Sequence, residues 1–262
     1  MKFGMTRIME SKNKSTTADN VLREERIQGF LQAAEVYLKS EDYKKSLHCY
    51  ELASNLGSAE ASHKAGLCSL VDHDALKAMK FFELGAEREY TPAMLELGHL
   101  YKTGGSGIAK SPEMALSYYK IAAAKGNHEA VREIGTCHWL GLGTPASQEK
   151  AIEAWKKAAE KDPRAQGYLA YSLILAKKYR EADELLLQAK KEDSFAKFLF
   201  DLFEKKGIWK QVLQNESFKP SCTEEEKHLL LTKFETYLQD GPQLLKRVIN
   251  KKIKTKPFKS KK

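Results

Sequence analysis

Ala93-Met94-Leu95-Glu96-Leu97-Gly98-His99-Leu100-Tyr101 returns thirty-seven residues later as Ala130-Val131-Arg132-Glu133-Ile134-Gly135-Thr136-Cys137-His138, with alanine, glycine and a ring at matching places. A fixed period comes before any other reading, because it sets the unit from which the fold is built. Ala115, Ala122 and Ala123 recur as Ala151, Ala158 and Ala159 after 36 residues, so the loop between loses one residue. Upstream, Phe81-Phe82 precedes Tyr118-Tyr119 by 37 and Cys49-Tyr50 precedes Phe81-Phe82 by 32. Downstream, Ala182 and Ala189 follow Ala151 and Ala158 by 31. The repeat therefore runs from about Gln28 to Ala196.

Each unit reads as two helices. Met94, Leu97, Leu100 and Tyr101 keep helical spacing in the first, and Leu116, Tyr119, Ala122 and Ala123 in the second. Small residues at 66, 98, 135 and 170 let neighbouring helices approach, and the large residues fill the facing gaps. Ser111 before Pro112 and Ser147 before Glu149 are N-cap signals in the right place.

Ala130-x-x-x-Ile134-Gly135-x-x-His138-x-x-Gly141-x-Gly143, followed by Lys150-Ala151-x-x-x-Trp155-x-x-Ala158-Ala159, resembles the Sel-one-like repeat. That family is related to the tetratricopeptide repeat and has a longer, glycine-containing loop between its helices. Leu97-Gly98-x-x-Tyr101 and Tyr118-Tyr119-x-x-Ala122-Ala123-x-x-Gly126 match it equally. Short loops after Ser40, Val71 and Ala176 look like plain tetratricopeptide turns. The resemblance implies an all-α, right-handed superhelical solenoid of about six helical hairpins, acting as a scaffold that binds other proteins.

On this reading residues 1–19 form a disordered N-terminal segment, 20–215 the solenoid, 216–250 a C-terminal helical cap and 251–262 a disordered lysine-rich tail. Ala196 to Asn215 reads as a degenerate helical pair broken at Gly207, and Thr223-Glu224-Glu225-Glu226 opens an amphipathic helix. Composition agrees with a soluble helical chain, since 42% of the 262 residues are apolar, 30% are charged, and Gly and Pro are scarce. The net charge of +9 is local: Lys251 to Lys262 holds +7, residues 1–30 hold +2, and the 220 residues between are formally neutral. A nucleic-acid-binding domain spreads its cations over one folded face. Association with nucleic acid or an anionic membrane is thus expected only through the tail, whose other readings are a nuclear-localisation patch, a basic partner helix or a solvated terminus.

Catalytic and metal constellations do not emerge. Gly104 to Ser111 spells G-G-S-G-I-A-K-S, which follows a helix and meets Pro112, whereas a phosphate-cradling loop follows a strand and enters its helix through Lys-Ser. The seven histidines make no H-x-x-x-H, and Cys137 and His138, adjacent on a helix, diverge too far to share a metal. His138 takes the packing slot of Tyr101, a half-buried structural role. Cys49, Cys68, Cys137 and Cys222 lack C-x-x-C spacing, so free thiols and a cytoplasmic location are expected. Met1 to Asn20 has no apolar stretch of a secretory signal, and its Ser/Thr content leaves a mitochondrial address as the alternative. No metal, cofactor or small-molecule substrate is called for.

The resemblance implies that first helices line a concave face. Residues there that the Leu-Gly-x-x-Tyr packing leaves over are Glu35, His63, His99, Lys102, Arg132, Thr136, Trp139, Gly167 and Tyr171, a mixture of rings, cations and hydrogen-bonding groups suited to a peptide hot spot. The alternative for Trp139 and Tyr171 is packing between adjacent repeats. The sequence thus points to a non-enzymatic adaptor that captures a partner protein segment. Its rival is a hydrolase on the same scaffold, an activity to which some members of the resembling family have been linked.

Overall fold

The computed structural model describes residues 2–176 and 178–205 and the isolated position 232, with side chains from Asp19 onward. Eleven helices occupy the described residues in chain order: α1 Lys2–Lys39, α2 Tyr43–Asn55, α3 Ala59–Val71, α4 Ala75–Glu87, α5 Thr91–Thr103, α6 Pro112–Ala124, α7 His128–Leu140, α8 Gln148–Ala158, α9 Pro163–Leu175, α10 Tyr179–Ala189 and α11 Ser194–Lys205. They make five helical hairpins and the opening helix of a sixth, so the all-α repeat class is the one observed.

One device recurs in each hairpin. Tyr50, Phe82, Tyr119, Trp155 and Leu186 stand on the second helices and are wholly buried. Each faces a small residue sixteen to twenty-one positions earlier: Ala34, Gly66, Gly98, Gly135 and Ala170. Where the ring is Phe82, Tyr119 or Trp155, the opposing residue is glycine, and a Cβ placed there would land against the ring itself. Second helices keep a further rhythm, small residues four before and three after the large one: Ser46 and Ala53, Ala78 and Gly85, Ala115 and Ala122, Ala151 and Ala158, Ala182 and Ala189. All the alanines in that set are 0% exposed. Burying each large side chain contributes roughly 1.5–3 kcal/mol, and the alternation of large and small fixes which helices can mate.

Helix starts are specified locally. Asp42, Ser58, Asp74, Ser111, Asn127, Ser147 and Asp162 each accept a hydrogen bond from a backbone N–H of the first turn, with Pro112 and Pro163 in that turn at two of them. Such caps contribute about 1 kcal/mol apiece. The long loops close alike, the Ser111 N–H donating to the Tyr101 carbonyl at 2.9 Å and the Ser147 N–H to the His138 carbonyl at 2.8 Å. Gly104, Gly105 and Gly107 have positive φ, as the sharp path of that loop requires.

The chain divides into two compact units, the first to Glu96 with the loop tip 106–108, the second from Leu97. In the first, Ile27, Leu31, Ala34 and Leu38 of α1 pack on Leu47, Tyr50 and Ala53 of α2 and on Ala61, Ala65 and Cys68 of α3. Ile108 is buried in this unit, and neighbouring Gly107 lies against Leu76. In the second, Trp155, Tyr168, Tyr171, Leu186, Phe195 and Leu199 centre the core.

One expectation changes here. Residues 2–19, set apart as disordered from the sequence, form the first half of α1. Helix propagation costs little once a packed nucleus exists, and the stretch after Gly4 contains no glycine or proline before Gly29. At the other end, α11 runs from Ser194, and its register places Asp201 where earlier first helices carry glycine or alanine. Asp201 is exposed, whereas the glycine or alanine at each earlier equivalent position is buried. The remainder of the degenerate pair, the cap at 216–250 and the lysine tail lie outside the described residues, apart from position 232.

Candidate protein-binding face

The residues expected to line a groove fall in both units. In the first, the Glu35 carboxylate accepts from Lys64 Nζ at 2.8 Å and from the Tyr50 hydroxyl at 2.9 Å, and Lys64 also pairs with Glu60 at 2.9 Å. Partial burial would raise the Glu35 pKa, but Lys64 and Tyr50 outweigh it and hold the carboxyl below its ordinary value. His63 is half-buried between the rings of Phe82 and Tyr90, at 5.8 and 5.5 Å.

In the second unit five expected contact residues are core. His99, Lys102, Arg132, Thr136 and Tyr171 are 6, 6, 2, 1 and 1% exposed, and Gly167 is also buried, so none offers a free side chain to a partner. The cause is the next repeat. Lys102 Nζ of α5 donates to Glu133 Oε2 of α7 at 2.7 Å. Arg132 also donates to Glu133, to Glu129 at 2.9 Å, and through Nε to Asp162, the cap of α9, at 2.7 Å. The guanidinium lies 5.9 Å from the Tyr168 ring centre. Thr136 donates to the Arg132 carbonyl, which also accepts from Trp155 Nε1 at 3.1 Å. Tyr171 touches Trp139 and Phe195 edge-on or tilted, at 6.4 and 6.1 Å. Trp139 is half-buried and lies against Trp155 at 5.3 Å.

The sequence pattern marks these side chains as surface groups, whereas His99, Lys102, Arg132, Thr136, Gly167 and Tyr171 are buried. It missed their partners, Lys64, Glu133, Asp162 and Asp193. A signal existed, since charges of opposite sign stand about one repeat apart: Glu35 and Lys64, Lys102 and Glu133, Arg132 and Asp162, Arg164 and Asp193. These pairs join successive first helices.

The electrostatics are those of a structural network. Burial alone would push the Glu133 carboxyl up, but Lys102 and Arg132 beside it hold it far below the usual range. Arg132 stays charged, its burial offset by Glu133 and Asp162. His99 shares a 3.0 Å hydrogen bond with the Tyr119 hydroxyl, and burial pulls its pKa down to about 4, so the ring is neutral near pH 7. Burial likewise raises the Cys68 and Cys137 thiols to about 12, which denies them thiolate reactivity. Among the described residues no group of three or more His, Cys, Asp or Glu could hold a metal ion.

His99 makes the fold pH-sensitive in a definite direction. An unfolded histidine titrates near pH 6.5, and the folded one near 4. Its contribution is therefore complete above about 6.5 and is lost as pH falls toward 4, by an amount on the order of 2 kcal/mol. Melting temperatures of the wild type and His99→Gln should converge as pH drops from 7 to 4.5, and parallel curves would refute this role.

Repeated hairpins with glycine facing an aromatic, extended glycine loops and charges linked across repeats are accompanied by a family match. The Sel1 repeat model matches residues 36–58, 61–90, 91–127 and 128–163, just under half of the chain. These four segments are Sel1 repeats. The Sel1-repeat array covers α2 to α8, and the Ala170–Leu186 slot continues its packing into α9 and α10 beyond the matched residues. A Schizosaccharomyces pombe protein named as an ERAD-associated E3 ubiquitin-protein ligase component is 33% identical over 97 residues, 37% of this chain and 13% of that protein. The chitin synthase regulator SKT5 of Saccharomyces cerevisiae is 31% identical over 111 residues, 40% of this chain and 16% of that protein. The chain thus spans only a small part of the length of these relatives. The crystal structure of a Sel1 repeat protein from Oxalobacter formigenes superposes with a TM-score of 0.59 at 22% identity, over 65% of this chain and 75% of that one, a likeness of fold. Sel1 repeats belong to the repeat class whose stacked helices generally serve protein–protein interaction. No helix among the described residues is long and apolar enough to cross a membrane.

Proposed function

We propose that this protein is a non-catalytic, cytoplasmic adaptor that holds a segment of a partner protein on the first-helix, concave side of its Sel1 repeats. The observation that carries the reading is the use made of the polar groups in the second unit. Lys102, Arg132, Glu133 and Asp162 are spent on one another and the buried thiols are unreactive, which favours a rigid display surface over a reaction centre. Relatives named as a regulator of an enzyme and as a component of a ligase agree with an accessory role. Trp139 is the anchor on this reading, since a half-buried indole packed against Trp155 and Tyr171 is pre-organised for contact. Tyr171 and Trp155 act as its supports, and Arg132 holds Trp155 through its carbonyl.

The test is cross-linking and affinity capture from the source cell, then calorimetry on the recovered partner. Trp139→Ala should weaken binding by at least about thirtyfold, equivalent to about 2 kcal/mol, while Lys156→Ala on the exposed face of α8 stays within about fivefold. Circular dichroism melts of both variants establish that each remains folded. Equal affinities for both would move recognition off the first helices.

A further inference from the structure

The first helix leaves one side bare. It turns Ile27, Leu31, Ala34 and Leu38 into the core of its unit. On the opposite side, at heptad spacing, stand Leu22, Gly29 and Val36, with Ala33 between the last two. Val36, Leu22 and neighbouring Val21, at 61, 58 and 56% exposure, are the most exposed large apolar side chains of the described residues. Gly29 at the middle of the stripe is exposed, and a Cβ added there would meet nothing within 4 Å. Glycine weakens an exposed helix, but at a crossing point it admits a second backbone. By contrast, the exposed residues of α11 include Ser194, Lys197, Asp201 and Glu204.

We propose that this stripe of α1 pairs with α1 of a second copy of the chain, in parallel about a two-fold axis. Charge decides both the occupant and the direction. Glu25 and Arg26 are exposed and flank the stripe on its two sides. In a parallel two-fold pair, one flank of a helix meets the opposite flank of its mate at the same level. Arg26 then faces Glu25 of the second copy, Glu25 faces Arg26 of the second copy, and Leu22, Gly29 and Val36 meet their own counterparts. In an antiparallel pair centred on Gly29 the same two charges would face Ala33 and Gln32, and the complementarity vanishes. The contact is isologous, as a two-fold requires.

Sedimentation equilibrium on the full chain, run over a range of concentrations, tests the pairing. The wild type should form a dimer that dissociates on dilution. Val36→Lys and Leu22→Lys place an ammonium in the apolar contact and should each weaken dimerisation by about a hundredfold. Both positions are exposed, so melting of the dilute protein should not change. Glu25→Lys and Arg26→Glu each set like charges against each other and should weaken self-association by about tenfold. An equimolar mixture of those two variants should recover it, because each chain then supplies the charge that the other needs. A wild type that stays monomeric at every concentration would overturn the proposal and assign the face to a different occupant. A dimer untouched by Val36→Lys would overturn it by placing the contact elsewhere, and a mixture no tighter than its components would overturn the parallel register.

Discussion

Gly135→Leu is expected to cost about 3 kcal/mol or more, or to prevent folding outright. A side chain at this position would enter the space of the Trp155 indole, and its Cβ would also crowd the Ala151 carbonyl at 3.1 Å. The indole has no room to retreat. It is wholly buried, donates to the Arg132 carbonyl, and is braced by Trp139 and by Tyr168, each 5.3 Å away. Moving it would break a buried hydrogen bond and disturb two aromatic contacts at once. Gly98→Leu should behave alike against Tyr119. In dilute protein, where α1 is unpaired, Gly29→Ala is the control, because space around it is open and replacing glycine in an exposed helix stabilises by about 0.5–1 kcal/mol. Urea denaturation followed by circular dichroism should separate the two glycines at the rings from Gly29. Indistinguishable midpoints for all three would show that glycine is not required where first and second helices touch.

This contrast also marks how far the sequence could be read. The slots were legible because both halves of each one are local in period: a small residue in the first helix, a large side chain in the second, repeating every 31 to 37 positions. Ser111 and Ser147 were legible as caps because a cap is a matter of adjacent residues. What periodicity could not convey is which side of a first helix the next repeat covers. His99, Lys102 and Arg132 lie on a polar stripe that looks like a solvent face when one helix is considered alone. The neighbouring repeat supplies Glu133 and Asp162, and the stripe becomes interior. Charge and burial there are decided jointly by residues some thirty positions apart, beyond the reach of local pattern. The first half of α1 was illegible for a different reason, since its polar composition gives no packing signal and its helicity continues from the packed segment that begins near Ile27.

Glu133→Gln is expected to destabilise the second unit by about 3–5 kcal/mol, the range for removing one member of a buried ion pair. The argument rests on what is left behind. Lys102 and Glu133 have side chains only 5 and 3% exposed, and the hydrogen-bond partner found for the Lys102 ammonium is this carboxylate. Arg132 keeps Asp162 and Glu129 and is less affected. Glutamine can still accept a hydrogen bond, but it cannot neutralise an ammonium held away from water. Lys102→Met on its own should cost less, because Glu133 retains Arg132. Adding Lys102→Met to Glu133→Gln should then recover part of the loss, since an apolar side chain of similar length removes the orphaned charge. Acid adds an independent check. A folded pKa below that of an unfolded glutamate means that the carboxylate contributes fully above about pH 4.3 and less as pH falls below it. The difference in stability between wild type and Glu133→Gln should therefore hold from pH 7 down to about 5 and shrink in stronger acid. A double variant no more stable than Glu133→Gln would show that the ammonium finds other compensation. A pair of charges tying α5 to α7 would then be dispensable, and the glycine slots alone would set the spacing of these repeats.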